Sequence, residues 1–380
     1  MTTPDYSPCI TDAERRRPLL FLDKVFLRPR KQTLRGVELF NQSLIRDLAR
    51  EGIKLTVPVH YSWKDVLSGG LSGVLPDFHE VALRKTLLNG LKSVWQLRRV
   101  SYQYIILANV ANSLIPALWL LRLFHSRPSL ILFAHRMPSL RFLAALSKKK
   151  TRVIAVNGII AARFKKAGFE DANVCFGHID ADKFFPHAGS NGTKRPADRE
   201  DGKSAAPGPQ KVNFCVVGFL NNAWKGADTA VAAFRLMPKD ICAKCVLHLA
   251  SFRAPPSFPE QNIRAYNWLP TGEMPQWLRR MDVMIVPSRD ERVMRETFSL
   301  TMVEGMLTAL PIIATNLPVL AEKLNAGGGY VFNNAAELSR WMTLLATRPQ
   351  LRAELGGKAR LIALERYIWN TKKFVSRYLA

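Results

Sequence analysis

LLFLDKVFLRPRKQTLRGVELFNQSLIRDLAREGIKLTVPV, residues 19–59, is the stretch from which the fold is read. Leu19–Phe26 is an apolar run of strand length. Val37, Phe40, Leu44 and Leu48 then recur at helical spacing, so Val37–Arg50 reads as a helix with one apolar face. Gly52 ends it, as glycine does where a helix must turn left-handed. Leu55–Val59 is a second strand. A strand, a helix and a strand in so short a space form a β-α-β unit, the building block of parallel α/β sheets.

Working outward, Tyr104–Leu107, Leu130–Ala134, Arg152–Val156 and Val174–Phe176 are further strand candidates with helical patterns between them. The first half is therefore expected to be one doubly wound domain. His187–Gln210 differs in kind, being rich in Gly, Pro, Ser, Ala and charge, and reads as a flexible linker or surface insertion. Val212–Val217 opens a second series. Its further strands are Cys245–Leu249, Ile263–Ala265 and Val283–Val286, and its helices include Ala227–Arg235 and Met274–Arg280. The expected architecture is α/β, with two Rossmann-like doubly wound domains facing across a cleft. Ligands bind beyond the carboxyl ends of such strands. The domains expected are 1–186, a linker or insertion at 187–210, 211–365, and a C-terminal helix in 366–380 packing back on the first domain.

The chain has 380 residues, enough for two cores, and 55 Lys and Arg against 30 Asp and Glu, a net charge of +25. Residues 81–169 contain no Asp or Glu and sixteen Lys or Arg, among them Lys148, Lys149 and Lys150. Such a face suits a polyanionic neighbour. No helix-turn-helix, zinc-finger or RNA-binding signature accompanies it, so nucleic acid is not the expected partner. Cys9, Cys175, Cys215, Cys242 and Cys245 are odd in number and scattered, which does not suggest a disulfide framework. Cys242 and Cys245 lack the second ligand pair of a structural zinc site, and a reducing, cytoplasmic setting fits them. The N-terminus lacks the apolar core of a signal peptide. The greasiest stretch, Tyr104–Phe124, is broken by Asn109, Asn112, Ser113, Pro116 and Arg122, and reads as a buried strand and a packed helix rather than a membrane span.

The chemistry concentrates in Asp282–Pro311, DVMIVPSRDERVMRETFSLTMVEGMLTALP. A strand runs into Pro287 and Ser288, a charged loop follows, then Glu296, then a helix beginning near Phe298 and containing Glu304. Eight helical residues rise about 12 Å. That separation suits two ends of one elongated ligand and exceeds the roughly 5 Å that two carboxylates need to act on one glycosidic bond as a retaining hydrolase. The free N–H groups of the helix start suit a diphosphate. Lys225, in NAWKG at Asn222–Gly226, follows the first strand of the second series and is placed to add positive charge there. Alone, a Lys-Gly after a strand also fits a surface lysine at a helix start, and a glutamate pair also fits a solvated outer face. Glu304 lies in the otherwise apolar run Leu300–Leu310, where a carboxylate wants a hydrogen-bonding partner.

In this order the segments resemble the retaining GT-B enzymes of glycosyltransferase family 4. RGVELFNQSLIRDLAREG is similar to that family's first glycine loop and helix, LFAHRMPS to the strand ending in its acceptor-side histidine, and RVIAVNGIIAARFKKAGF with CFGHIDADKFFP to the close of its first domain. VVGFLNNAWKGADTAVAAF resembles the start of its donor domain, and ETFSLTMVE its E-x7-E motif. The resemblance implies a transferase moving a sugar from a nucleotide-sugar donor to a glycan, lipid-linked or phosphorylated acceptor with retention of configuration, in bacterial envelope polysaccharide or lipopolysaccharide synthesis. It implies no cofactor beyond that co-substrate and no metal. By position, Glu296 with Thr297, Phe298 and Ser299 would hold the donor sugar, Glu304 the ribose, and Lys225 the leaving diphosphate. Gly218 ends the strand before that lysine, His135 would lie near the reacting sugar and acceptor, and Gly36 would let backbone approach closely. As a bland alternative, His135 is a strand-end histidine bonded to backbone.

Three positions depart from the family pattern. Phe219 stands where the family carries an arginine after the strand glycine, Ser299 where it carries a glycine, and Arg35-Gly36 where it carries paired glycines. Arg289, Arg292 or Arg295 is expected to compensate for Phe219. The competing reading is an inactive GT-B protein that only binds a sugar nucleotide or glycan. Leu83–Val100 reads as a helix with Lys85, Lys92 and Arg99 on one side and Leu87, Leu88, Leu91 and Trp95 offering an apolar side. It is either a membrane-surface helix facing anionic lipid, making the protein peripheral at the inner face of the cytoplasmic membrane, or a packed helix with a basic outer edge.

Overall fold

The computed structural model describes residues 18–23, 26–27, 36–60, 78–83, 97, 102–108, 110, 112–124, 128–174, 179, 181–186, 211–251, 258–267, 272–289 and 296–379. They divide between two compact units, one drawn from Met1–His178 and Trp369–Ala380 and the other from Ile179–Ile368.

The first unit runs β1 (Leu19–Asp23), α1 (Gly36–Arg50), β2 (Leu55–His60), β3 (Phe78–Leu83), β4 (Tyr104–Ala108), α2 (Ile115–Phe124), β5 (Ser129–Ala134), α3 (Leu140–Ala144), β6 (Thr151–Ala155), α4 (Gly158–Lys166) and β7 (Ala172–Val174). All pairings are parallel, and the sheet order is β3-β2-β1-β4-β5-β6-β7. Strands β1, β2 and β4 are buried along their whole length, as parallel strands are when helices cover both faces. The order reverses between β1 and β4, the switch point where such sheets bind ligands. Asn157 starts α4 by accepting the Ile160 N–H at 2.8 Å, a side-chain N-cap.

Several expected boundaries are corrected. β1 stops at Asp23, and Phe26 belongs to a turn, wholly buried. Leu83 ends a strand rather than starting a helix, because Phe78–Leu83 pairs residue by residue with Leu55–His60. Of the proposed helix to Val100, only Leu83 and Leu97 are among the described residues, so its basic face lies outside them. β7 is Ala172–Val174, two residues earlier than read. Tyr104–Phe124 divides into a buried strand and a helix, and no helix among the described residues is long and apolar enough to cross a membrane.

The second unit runs β8 (Val212–Gly218), α5 (Ala227–Arg235), α6 (Lys239–Cys242), β9 (Cys245–Ser251), β10 (Ile263–Asn267), α7 (Met274–Leu278), β11 (Val283–Val286), α8 (Leu300–Leu307), β12 (Ile312–Thr315), α9 (Pro318–Leu324), β13 (Gly329–Phe332), α10 (Ala335–Thr347) and α11 (Pro349–Arg366). Its parallel sheet has the order β10-β9-β8-β11-β12-β13, again reversing beside its first strand, between β8 and β11. The segment proposed as linker, 187–210, lies outside the described residues. Cys242 and Cys245 flank the entry to β9, and their thiols donate to the carbonyls of Phe234 and Ile241. The chain closes with α12 (Thr371–Tyr378), which belongs to the first unit.

Trp369, Phe374, Val375, Tyr378 and Leu379 join Phe40, Phe133 and Leu44 in one buried cluster. The Phe374 ring lies 5.7 Å from Phe133 and 5.2 Å from Trp369, and Arg152 donates to the Tyr378 carbonyl at 2.8 Å. Trp369, Phe374, Val375, Tyr378 and Leu379 are thus core of the first unit. Phe374→Ala should destabilise that unit by about 3–5 kcal/mol and leave the second unit's transition in place. A two-transition denaturation curve with both midpoints unmoved would detach the tail from this core.

Candidate functional site

The site grows from the carboxyl ends of β8 and β11, neighbours in the second sheet. After Gly218 the chain makes a short 3-10 turn over Ala223–Lys225 and then bends at Gly226, whose φ of 66° is left-handed. A Cβ there would stand 1.9 Å from the Pro287 carbonyl oxygen. Only glycine lets this turn lie directly on the end of β11. The Arg289 N–H, donating to the Trp224 carbonyl at 2.7 Å, ties the two loops together. A Cβ on Gly218 would reach Lys225 Cε at 3.4 Å, so the lysine lies along the end of β8.

Thus placed, Lys225 Nζ donates to Glu296 Oε2 at 2.6 Å. The Ser288 hydroxyl donates to the same oxygen at 3.1 Å, and the Ser299 N–H to Oε1 at 3.0 Å. The side chains of Lys225 and Glu296 are 15% and 9% exposed, which keeps the pair from being screened like a surface ion pair. Ser299 has φ 60° and ψ 74°, a left-handed conformation in a non-glycine residue. Its peptide N–H is therefore turned back to the carboxylate, and α8 starts at Leu300, two residues later than expected. The Ser299 hydroxyl is buried with no partner among the described residues. Thr297 is half-buried and Phe298 buried beneath this loop.

Glu304 sits in the middle of α8. Its neighbour Gly305 lies against the sheet, where a Cβ would come 2.6 Å from Met284 Sδ. Among the described residues the Glu304 side chain has no hydrogen-bond or ion-pair partner. It keeps some exposure, yet protein crowds it, and that desolvation pushes its carboxyl up to about 7, as burial without a counter-charge does. No group of three or more metal-ligating side chains occurs among the described residues.

Arg289, one of the three expected to compensate for Phe219, is engaged elsewhere in this arrangement. Its guanidinium pairs with Asp228 at 2.6 Å and also donates to the Thr229 hydroxyl. Both partners lie on α5, and its cation is spent there because Asp228 and Thr229 project from the first turn of that helix. Arg292 and Arg295 lie outside the described residues.

His135 and Gly36 belong to the first unit. Gly36 opens α1. His135 follows β5, its ring edge-on to Phe40 at 5.2 Å, and its Nε2 is buried with no partner among the described residues. Burial pulls its pKa down to about 4, so the imidazole is neutral near pH 7. At the end of β1, separated from β5 by β4, the buried Asp23 accepts from Asn41 at 2.7 Å, and the Asn41 Oδ1 is buried with no partner among the described residues. Sequence reasoning passed over Asp23, Asn41, Ser288 and Gly226. For Gly226 and Ser288 a signal was present: each stands directly after a residue or strand already singled out.

The Lys225–Glu296 pair has a measurable consequence. Removing one partner strands the other in a largely dehydrated place, so Lys225→Met should cost about 3 kcal/mol. The double variant Lys225→Met/Glu296→Gln should lie closer to wild type than the sum of its singles, giving a coupling of at least about 1 kcal/mol in a urea double-mutant cycle. Additive losses would mean that the pair does not hold the loop.

Residues 211–347 match the family described as glycosyl transferases group 1. An uncharacterised 41.2 kDa protein of the cps region of Klebsiella pneumoniae is 34% identical over 130 residues, a match spanning 31% of this chain and 31% of that protein's length. Among solved structures, Anabaena Alr3699/HepE in complex with UDP and glucose superposes with a TM-score of 0.66 at 15% identity, covering 95% of this chain and 98% of that one. A glycosyltransferase from Rickettsia africae gives a TM-score of 0.69 at 15% identity, covering 96% and 97%. WaaG, a glycosyltransferase involved in lipopolysaccharide biosynthesis, gives 0.61 at 12%, covering 95% and 99%. At these identities the superpositions establish the fold. The segment that carries Lys225, Glu296 and Glu304 thus matches the group 1 glycosyl transferases, within a chain built of two Rossmann-like units as GT-B glycosyltransferase structures are.

Proposed function

We propose that the chain is a retaining glycosyltransferase of family 4 that moves a sugar from a nucleotide diphosphate to a hydroxyl of a glycan or lipid-linked acceptor. The observation that carries the reading is the second-unit constellation at the carboxyl end of a switch-point sheet: Lys225, Glu296 and Glu304, the last without a partner among the described residues. HepE, of the same fold, is seen with UDP, and WaaG serves lipopolysaccharide synthesis. With the cps-region relative they support a nucleotide-sugar donor and an envelope polysaccharide product.

In this reading Glu296 and the free Ser299 hydroxyl hold the donor sugar's hydroxyls, with Thr297 and Phe298 shaping the loop. Glu304 takes the ribose hydroxyls, which supply the hydrogen bonds that its carboxylate lacks. Cleavage of the anomeric bond leaves negative charge on the diphosphate and positive character on the sugar. Lys225 and the N–H groups opening α8 stabilise the departing charge, without a divalent ion or other cofactor. The acceptor hydroxyl enters on the face that the diphosphate leaves and passes its proton to that diphosphate. For the first unit the reading gives the neutral His135 to the acceptor and assigns Gly36, which opens α1, to close backbone approach by a ligand. A hydrogen bond from His135, rather than a full charge, fits its depressed pKa. The second reading, a binding protein without turnover, rests on Phe219 and on the engagement of Arg289 by Asp228.

Thermal-shift screening against UDP-, GDP-, ADP- and CMP-sugars tests the donor. A ligand at a hundred times its dissociation constant stabilises by about 2.7 kcal/mol. Lys225→Ala should abolish hydrolysis and transfer, and unchanged turnover would refute the phosphate assignment. The pH dependence carries its own sign. The Glu304 carboxyl rises from 4.5 to about 7 on folding, so the donor-free protein loses stability from this group as pH climbs from 4.5 through 7. Donor ribose relieves that loss, and the donor-induced shift should grow through pH 7 in wild type and stay flat in Glu304→Gln.

The excess of basic residues in 81–169 further supports peripheral attachment to an anionic membrane surface from the cytoplasmic side, where a lipid-linked acceptor resides. Liposomes containing anionic lipid should sediment the protein at low salt and release it at about 0.5 M salt, since screening shortens the reach of surface charge. No sedimentation at low salt would remove the membrane from this proposal.

A further inference from the structure

Lys323 is a cation for which the mechanism above has no use. It lies on α9, in PVLAEKL, where its place in the last turn reads as a surface charge. Instead it is 1% exposed. Its ammonium donates to the Val319 carbonyl at 2.9 Å and meets a carboxylate only at 4.0 Å, that of Glu322. Its other neighbours are two aromatic faces, Phe298 at 4.8 Å and Tyr367 at 5.4 Å. Those rings meet edge-on at 6.1 Å. Burial pulls the lysine down from 10.5 to about 8, with Glu322 and Glu296 opposing the fall through their negative charge.

An ammonium in such a place works against the fold. Its depressed pKa means that charged Lys323 lowers stability at every pH below about 8, and that the loss is recovered only as pH rises from 8 toward 10.5. A methionine of similar length would fill the space without that cost. What the charge does locally is hold Phe298. This ring lies between Glu296 and Ser299 in sequence, in the loop whose left-handed end turns the Ser299 N–H onto the Glu296 carboxylate. Lys225 holds Glu296 by direct contact and Lys323 acts on it at longer range, through Phe298 and through its field.

Building on the donor reading above, we infer that Lys323 is a positioning residue for the donor site. Its buried ammonium, seated on the rings of Phe298 and Tyr367, fixes the Glu296–Ser299 loop and supplies the positive potential that keeps Glu296 in place when Lys225 turns to the donor diphosphate. It touches no ligand. It also provides, from behind the site, part of the cationic support that Phe219 withdraws.

Lys323→Met, compared with wild type, tests this with UDP and UDP-glucose as probes. The variant should melt at or above the wild-type temperature at pH 7, with the difference narrowing as pH rises through 8. UDP affinity should stay within twofold while turnover of UDP-glucose falls at least tenfold, with kcat rather than KM carrying the loss. Wild-type turnover in the variant, or equal losses of UDP affinity and turnover, overturns the proposal. Should Lys323→Met not fold, or should UDP and UDP-glucose leave wild type unaffected so that the donor reading itself fails, hydrogen exchange of donor-free wild type still decides. The charged and titratable groups around the ammonium are Glu322 on its own helix, Glu296 before α8 and the Tyr367 hydroxyl, which burial holds neutral at about 12. Only the lysine then titrates near 8. Amide protection at Thr297–Leu300, corrected for intrinsic rate, should drop at least threefold through pH 8 while that of β8 holds. Constant protection at those four amides overturns the proposal.

Discussion

The ion pair between Lys225 and Glu296 is the contact on which the rest of the second unit's arrangement turns. It joins a loop that leaves β8 to a loop that leaves β11, and those strands are neighbours only because the sheet order reverses there. Gly226 makes the junction possible by letting backbone lie on the Pro287 carbonyl. An ionised carboxylate offers about four acceptor positions. Glu296 has filled three of them with Lys225, Ser288 and Ser299. One position remains, and the neighbouring Ser299 hydroxyl is buried with no partner among the described residues. Lys225, Ser288 and Ser299 thus fix the orientation of the Glu296 carboxylate by their own contacts.

The two acidic residues of this segment answer different needs because their surroundings differ. Glu296 is held by a cation and two donors at the start of α8. Glu304 lies within α8, next to the glycine that sets α8 against Met284, and is crowded by protein with no bonding partner among the described residues. A carboxylate already engaged by fixed donors is suited to orientation. A carboxylate starved of donors gains most from a ligand rich in hydroxyls, because such a ligand removes a desolvation penalty rather than merely adding a contact. The loop before α8 and the helix itself thus carry two carboxylates in opposite states of engagement.

The fold was legible where its elements had length or period. The helical spacing of Val37, Phe40, Leu44 and Leu48 and the run Val283–Val286 sufficed for their elements, and Ala227–Arg235 was bounded to the residue. Strands β12 and β13 were missed, since four residues such as IIAT carry no period that separates a strand from a helix end. β3 was missed because its last residue, Leu83, also begins an apolar spacing of helical look. The same limit governs the site. Glu296, Glu304 and Lys225 stand in an ordered motif, while Gly226 matters through the Pro287 carbonyl, about sixty residues on, and Ser288 through its hydroxyl on Glu296. Arg289 illustrates the converse: its charge and position in sequence recommended it for the donor, but Asp228 and Thr229, which hold it, lie sixty residues away.

Lys323 shows why burial cannot be read from residue type. On a helical wheel it is an ordinary cation near the end of a short helix, where the helix dipole favours it. In the fold, Phe298 arrives from the loop before α8 and Tyr367 from just after α11, and between them they dehydrate its ammonium. Three chain segments must meet to produce that environment, and none announces it alone. Packing by itself would have been served as well or better by an apolar side chain of the same length, since a buried charge with a single hydrogen bond and a distant carboxylate recovers little of its hydration. A charge retained at the expense of stability is best explained by the loop it steadies. That loop also carries the left-handed Ser299, the only positive-φ side-chain-bearing residue besides Ala309 among the described residues. Strain and buried charge therefore converge on the four residues that orient Glu296, which is where a site built to bind rather than to pack would place them.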